Sequence, residues 1–228
     1  MNHRYGYANY DQGCFATNAI WKAAFVFKIP NSIDPAYAAP LMCGGATVYH
    51  ALEFVKPSER VGIIGVGGLG HLAIQFASKM GCEVVVFSST DSKKAEAMSL
   101  GATQFIATKN QEILDVGKPL NHLLVTTSAQ PNWAQFFPLL APRANIYPLT
   151  VSSDELSVPY GPITRKELRI QGSLVSPRQT HREMIEFAAL HGIKPIIETF
   201  PLTKDGIVEA LDKLRAGRMR YRGVLVAQ

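Results

Sequence analysis

The sequence predicts an α/β fold: a doubly wound parallel sheet of six strands with helices on both faces. Three observations predict it. Between about positions 61 and 174, short β-branched runs alternate with stretches of helical period. Six of those runs are continuous and apolar enough to be buried on both faces. Two of the intervening helical stretches end on a glycine, Gly81 and Gly101, where a left-handed cap is favoured.

In chain order the expected strands are VGIIGV (61–66), EVVVF (83–87), QFIAT (104–108), HLLVT (122–126), NIYPL (145–149) and LRIQG (168–172). Helices are expected over 71–80 and 92–100. About forty residues precede this core and carry mixed strand signals, FVFKIP (25–30) among them. After about Val175 come expected helices over 182–190 and 204–214 and a last strand over 223–227. The flanks read as parts of a second domain, so the expected division is 1–42, 43–174 and 175–228.

At 228 residues the chain has room for one generous domain, or for one domain and part of another. Its 47% hydrophobic and 18% charged residues are ordinary for a globular protein and exclude disorder. The N-terminus lacks the apolar core of a signal peptide, and no uncharged apolar run approaches the ~20 residues a bilayer requires. A cytoplasmic protein with no membrane partner is expected, its three cysteines, Cys14, Cys43 and Cys82, reduced. The net charge of +5 and the basic stretch from Lys213 to Arg222 would suit a phosphate-rich partner. No nucleic-acid module accompanies them, so no nucleic-acid partner is expected; a negatively charged cofactor explains the charge more simply.

The segment VGIIGVGGLGHLAIQ places GxGxxG after a strand and at the opening of a helix, the arrangement of a Rossmann dinucleotide-binding unit. Gly65 makes the tight turn, Gly67 lets backbone amides approach a pyrophosphate, and Gly70 lets helix and strand pack closely. The helix N-terminus adds amide donors and a positive dipole end. Cofactor choice falls to the tip of the second strand, where an acid would bond the ribose hydroxyls of NAD and repel a 2′-phosphate. That tip reads Ser88-Ser89-Thr90-Asp91-Ser92-Lys93-Lys94. Hydroxyls at 88–90 and cations at 93 and 94 can instead bind a phosphate, so NADP(H) is expected over NAD. An ordinary exposed helix capped by Asp91 or Ser92 could coexist with that role.

GIIGVGGLGHLAIQFASKMG, the SST…KK tip, APLMCGGATVY (39–49) and the closing Arg220-Tyr-Arg222 together resemble the medium-chain dehydrogenase/reductases. Among these they are most similar to the zinc-dependent, NADP-preferring alcohol dehydrogenases of the cinnamyl alcohol dehydrogenase type. The similarity covers essentially the whole chain and is looser after Ser176. It implies pyrophosphate contacts at Gly67, Gly68, Leu69 and Gly70, and 2′-phosphate contacts at Ser88, Ser89, Thr90 and Lys93. Thr47 would lie near the nicotinamide, and Thr127 and Ser128 would follow the strand bordering the adenosine side. Cys43 matches the last protein ligand of the family's catalytic zinc.

The same resemblance implies that the flanks are remnants of a GroES-like catalytic domain, whose other zinc ligands lie upstream of the point matching Met1. A catalytic zinc needs three protein ligands and an open position; Cys43 and His50 do not supply them. By its own chemistry Cys43 reads as a small buried residue before a Gly-Gly helix start. His50, His71, His122, His181 and His191 read as surface or helix-packing residues without a spaced carboxylate partner, His71 being neutral and structural. Three functions remain open. They are an NADP(H)-dependent oxidoreductase acting on an aldehyde or alcohol, a truncated NADP(H)-binding relative without turnover, and a metal-free enone or imine reductase. The family also implies a homodimer formed across an edge strand.

Overall fold

The computed structural model describes residues 13–227. Its centre is a six-stranded parallel sheet in the order β3-β2-β1-β4-β5-β6. The chain first builds outward from β1, then returns to the middle and builds outward in the other direction.

Before the sheet come α1 (Pro35–Pro40), a single wide turn at Leu41–Gly45 and α2 (Ala46–Ala51). Asp34 starts this helical run by accepting a hydrogen bond from the Ala36 amide at 2.8 Å. The run spans 35–51 without a break, so it crosses the expected boundary between 42 and 43.

The core follows as β1 (Arg60–Ile64), α3 (Gly70–Lys79), β2 (Glu83–Ser88), α4 (Lys94–Ser99), β3 (Gln104–Ala107) and β4 (Leu120–Val125). After β4 come α5 (Trp133–Phe136), β5 (Leu140–Pro148), α6 (Tyr160–Lys166) and β6 (Arg169–Ile170). All six expected strands are present. β1 and β2 run in register from Arg60 beside Glu83 to Ile64 beside Phe87, and β1 pairs β4 from Val61 beside His122. Their β-branched side chains are buried on both faces, as a sheet covered by helices on both sides requires. One face packs Leu72, Ile74 and Phe76 of α3 with Met184 and Ile185; the other packs Phe87 with Trp133 and Phe136.

Gly81 and Gly101 do adopt left-handed backbone, with φ of +84° and +110°. The second expected helix is shorter than the sequence suggests. It opens through a tight turn at Asp91–Lys93 with Thr90 in the capping position, and no side chain caps it. Neither Asp91 nor Ser92 takes that place, because the hydroxyl of Ser92 is paired with that of Thr90 at 2.9 Å.

The chain closes with α7 (Arg178–His191), β7 (Ile197–Pro201), α8 (Lys204–Arg215) and β8 (Arg222–Val226). β7 and β8 form a separate two-stranded parallel sheet. The strand signal at FVFKIP is overturned. Ala23–Phe25 is a short tight helix, the segment pairs with no strand among the described residues, and Phe27 stacks on His181 at 4.9 Å. Among the described residues no helix is long and apolar enough to cross a membrane.

Candidate functional site: a cleft at the carboxyl ends of the strands

The sheet order reverses between β1 and β4, and a cleft of about 450 Å³ opens there. Its floor is the glycine-rich turn after β1, Ile64 to Gly67; one wall is Phe87, Ser88, Ser89 and Lys93, and the other is Thr126, Thr127 and Ser128, with Thr108 beyond β3. A second cleft of about 110 Å³ lies between α1 and the end of α7. Its charged groups are already engaged: Asp34 caps α1, and the Lys194 ammonium lies 5.8 Å from the Tyr37 ring centroid.

The turn is built to hold its shape. Gly65 has φ of +95°, a left-handed conformation that other residues resist, and its amide donates to Phe87 O at 2.8 Å. On the other side the Thr126 hydroxyl donates to Ile64 O at 2.8 Å. A side chain on Gly70 would put its Cβ 2.0 Å from the Gly65 carbonyl oxygen, so the start of α3 can press on the end of β1 only with glycine there. A Cβ on Gly67 would meet nothing, leaving that backbone open for a close approach. No side chain caps the N-terminus of α3; the amides of His71 and Leu72 already meet the carbonyls of Gly67 and Leu69, so what the helix start offers an anion is its positive dipole end and the amides of the glycine turn ahead of them.

The tip of β2 bears on this loop through Lys93. Its ammonium donates to Val66 O at 2.6 Å, and burial, with the Arg220 charge adding to it, holds its pKa below the usual lysine range. Ser88 is half-buried and Ser89 exposed at the same wall; Asp91 is exposed and does not line the cleft.

The cleft thus gathers Gly65, Gly67, Ser88, Ser89, Lys93, Thr127 and Ser128 of the expected site residues. Gly68, Leu69, Gly70 and Thr90 border it without lining it. Thr47 is outside the lining; it is buried in α2, and its hydroxyl donates to Cys43 O at 2.8 Å. Cys43 departs from expectation: it is exposed, in the wide turn ahead of α2, with Gly44 and Gly45 buried after it in place of a helix start. Among the described residues no group of three His, Cys, Asp or Glu side chains could hold a metal ion. Cys43 therefore does not make a zinc site with the residues described here.

The expectation for the histidines holds for His71 and His181, packed in α3 and α7, and fails where a carboxylate faces the ring. His71, His122 and His181 are buried, and carboxylates do face two of the five: Glu59 Oε2 lies 3.0 Å from His122 Nε2, and Glu53 Oε2 lies 3.6 Å from His50 Nε2. His122 sits near the amino ends of β1 and β4, away from the cleft. His71 is the one that bears on the site. Its Nδ1–H donates to Gly67 O at 2.7 Å, and its Nε2 accepts from the Ile196 amide at 3.0 Å. Both bonds require the neutral ring, and burial, with the Arg222 charge adding to it, brings its pKa from 6.5 down to about 4.

The closing segment contributes more than sequence reasoning assigned to it. Arg222 Nε donates to Gly68 O at 3.1 Å, placing a guanidinium over the loop. Tyr221 donates its phenol proton to Glu96 Oε1 at 2.5 Å, and Arg220 pairs with Glu96 Oε2. In the same basic stretch Lys213 pairs with Glu198, and Arg215 with Asp212 at 3.3 Å.

Residues 68–190 match the zinc-binding dehydrogenase family. The chain is 35% identical to aldehyde reductase AdhA of Synechocystis sp. over 93% of its own length and 64% of that protein's. It is 30% identical to cinnamyl alcohol dehydrogenase 8 of Arabidopsis thaliana over 97% of its own length and 64% of the relative's. A solved cinnamyl alcohol dehydrogenase of Sorghum bicolor superposes with a TM-score of 0.78 at 30% identity, over 89% of this chain and 58% of that one. That of Helicobacter pylori, complexed with NADP(H), gives 0.77 at 26% identity over the same shares. The chain spans less than two thirds of the length of these relatives. With its strand order, its glycine turn and the matched residues 68–190, the chain belongs to the zinc-binding dehydrogenase family, within the medium-chain alcohol dehydrogenases and reductases.

Proposed function

We propose that the cleft binds NADP(H) and that the chain serves an alcohol dehydrogenase or aldehyde reductase, together with the part of its relatives that it does not span. The observation that carries this reading is the cleft itself: an open glycine turn beside a strand tip that offers Ser88, Ser89 and Lys93 and no lining acid. Two named relatives lie the same way. The Helicobacter pylori enzyme was solved with NADP(H), and NADP-dependent alcohol dehydrogenase C 1 of Mycolicibacterium smegmatis is 33% identical over 88% of this chain.

When bound, the nicotinamide cofactor supplies or accepts the hydride exchanged with an aldehyde or alcohol. The chain's own part is to bind and orient. Amides around Gly67, Gly68, Leu69 and Gly70 hold the pyrophosphate, and Ser88, Ser89, Thr90 and Lys93 hold the 2′-phosphate. Thr127 and Ser128 border the adenosine side, and Thr47 belongs with the nicotinamide end. A cytoplasmic homodimer paired through the exposed edge strand β6 accompanies the reading.

Calorimetric titration with NADPH and with NADH tests it. Micromolar binding of NADPH with weaker NADH is the expected result, and no binding of either overturns it. NADPH oxidation across a panel of aldehydes, repeated with a chelator, then separates zinc-dependent turnover, metal-free turnover and binding alone.

A further inference from the structure

Lys93, which ends the tight turn, and Glu96 in the first turn of α4 stand three residues apart, a spacing at which an ammonium and a carboxylate can pair. They do not pair here. Glu96 is engaged from the other side by the closing segment: Tyr221 donates its phenol proton to Oε1, and Arg220 holds Oε2. Lys93 has no carboxylate partner among the described residues. Its acceptor is the uncharged Val66 carbonyl, and its Nζ lies 4.9 Å from the Tyr221 ring centroid. Arg220 is held in turn: its amide donates to Glu198 Oε1 at 2.6 Å, and its guanidinium lies 5.5 Å from the Tyr221 ring centroid.

We propose that Arg220 and Tyr221 are positioning residues for cofactor choice: by drawing Glu96 away from Lys93 they keep the ammonium unneutralised at the cleft wall, free to meet a 2′-phosphate. The proposal rests on the NADP(H) reading and adds a determinant that lies outside the strand tip. A neutral carbonyl positions the ammonium without cancelling its charge, and the aromatic face of Tyr221 steadies it in the same way. A freed Glu96 would do the reverse, pairing with Lys93 and setting a negative charge beside the phosphate.

The test is a set of calorimetric titrations with NADPH and NADH on three proteins: wild type, the double variant Arg220→Gln with Tyr221→Phe, and the same double variant carrying Glu96→Gln. The double variant is expected to lose roughly tenfold in the ratio of NADPH to NADH affinity, the size of one charge-assisted contact to phosphate. NADH affinity should stay near that of wild type, which reports that the cleft is still folded. Adding Glu96→Gln should restore the ratio, because no carboxylate is then left to neutralise Lys93. An unchanged ratio in the double variant overturns the proposal. So does a loss that Glu96→Gln fails to restore, which would mean that Arg220 or Tyr221 meets the phosphate directly. If wild type shows no preference for NADPH, the NADP(H) reading itself fails, an outcome separate from both of these.

Discussion

His71 converts an acid pH into a loss of stability of calculable size. The imidazole titrates near 6.5 in an unfolded chain and near 4 when buried behind Gly67 and Ile196. Above pH 6.5 the ring is neutral in both states and the folded protein has its full stability. As pH falls from 6.5 towards 4 the unfolded chain takes up a proton that the folded one refuses, and stability declines with slope one proton. Below 4 both states are protonated and this contribution changes no further. A displacement of about 2.5 units at 1.36 kcal/mol each amounts to about 3 kcal/mol. Carboxylates titrate in the same window, so the measurement is a difference. Urea unfolding is followed from pH 7.5 to 3.5 for wild type and for His71→Gln, which keeps polar atoms near the site and does not titrate. The wild-type advantage should shrink by about 3 kcal/mol across that range. Two curves that stay parallel would refute the reasoning, because the ring would then be free to protonate in place.

Two glycines of the turn predict unlike outcomes. Gly70→Ala forces a Cβ against the Gly65 carbonyl and should cost roughly 3 kcal/mol in urea unfolding. Gly67→Ala meets open space, so it should leave the unfolding midpoint nearly unchanged and weaken NADPH binding in the same titration used above. Ser88→Asp places an acid at the strand tip and should reverse the preference towards NADH; retention of NADPH preference would separate Ser88 from the phosphate site. Burial, with the Glu59 charge adding to it, pushes the Cys82 thiol up to about 11. A thiol-specific chromogenic reagent at pH 8 should therefore label exposed Cys14 and Cys43 quickly and Cys82 only on unfolding.

The central strands β1, β2 and β4 were legible because parallel strands buried on both faces write themselves as nearly unbroken apolar runs, and the glycine turn because its geometry admits one residue type. β7 was not, since Ile197–Pro201 is five residues with Glu198 and Thr199 inside it, ends on a proline and has another, Pro195, just ahead of it. FVFKIP misled for the opposite reason: it has strand composition but no partner strand among the described residues. The helical run over 35–51 was hidden by Pro40 and by Gly44 and Gly45, residues that usually end helices. At the site, Ser88, Ser89 and Lys93 could be read from their distance to the glycine turn. Arg222, Glu96 and the His71 bridge could not, because each joins residues 124 to 154 positions apart.

That separation has a consequence for synthesis. The glycine-rich turn leaves the ribosome well before Ile196 and Arg222 have been added. At typical elongation rates the interval is roughly 10 s. During it the Gly68 carbonyl lacks the Arg222 donor that holds it in the finished protein, and His71, whose Nδ1–H already meets Gly67 O, lacks the Ile196 amide, so the nascent sheet can form while its nucleotide cradle stays immature. His71 takes up its second bond only when Ile196 arrives, and Arg222 reaches Gly68 only with the last strand. A cofactor that needs the completed loop would then engage the chain only once Ile196 and Arg222 have been added and have closed on it, well after the glycine turn itself can fold.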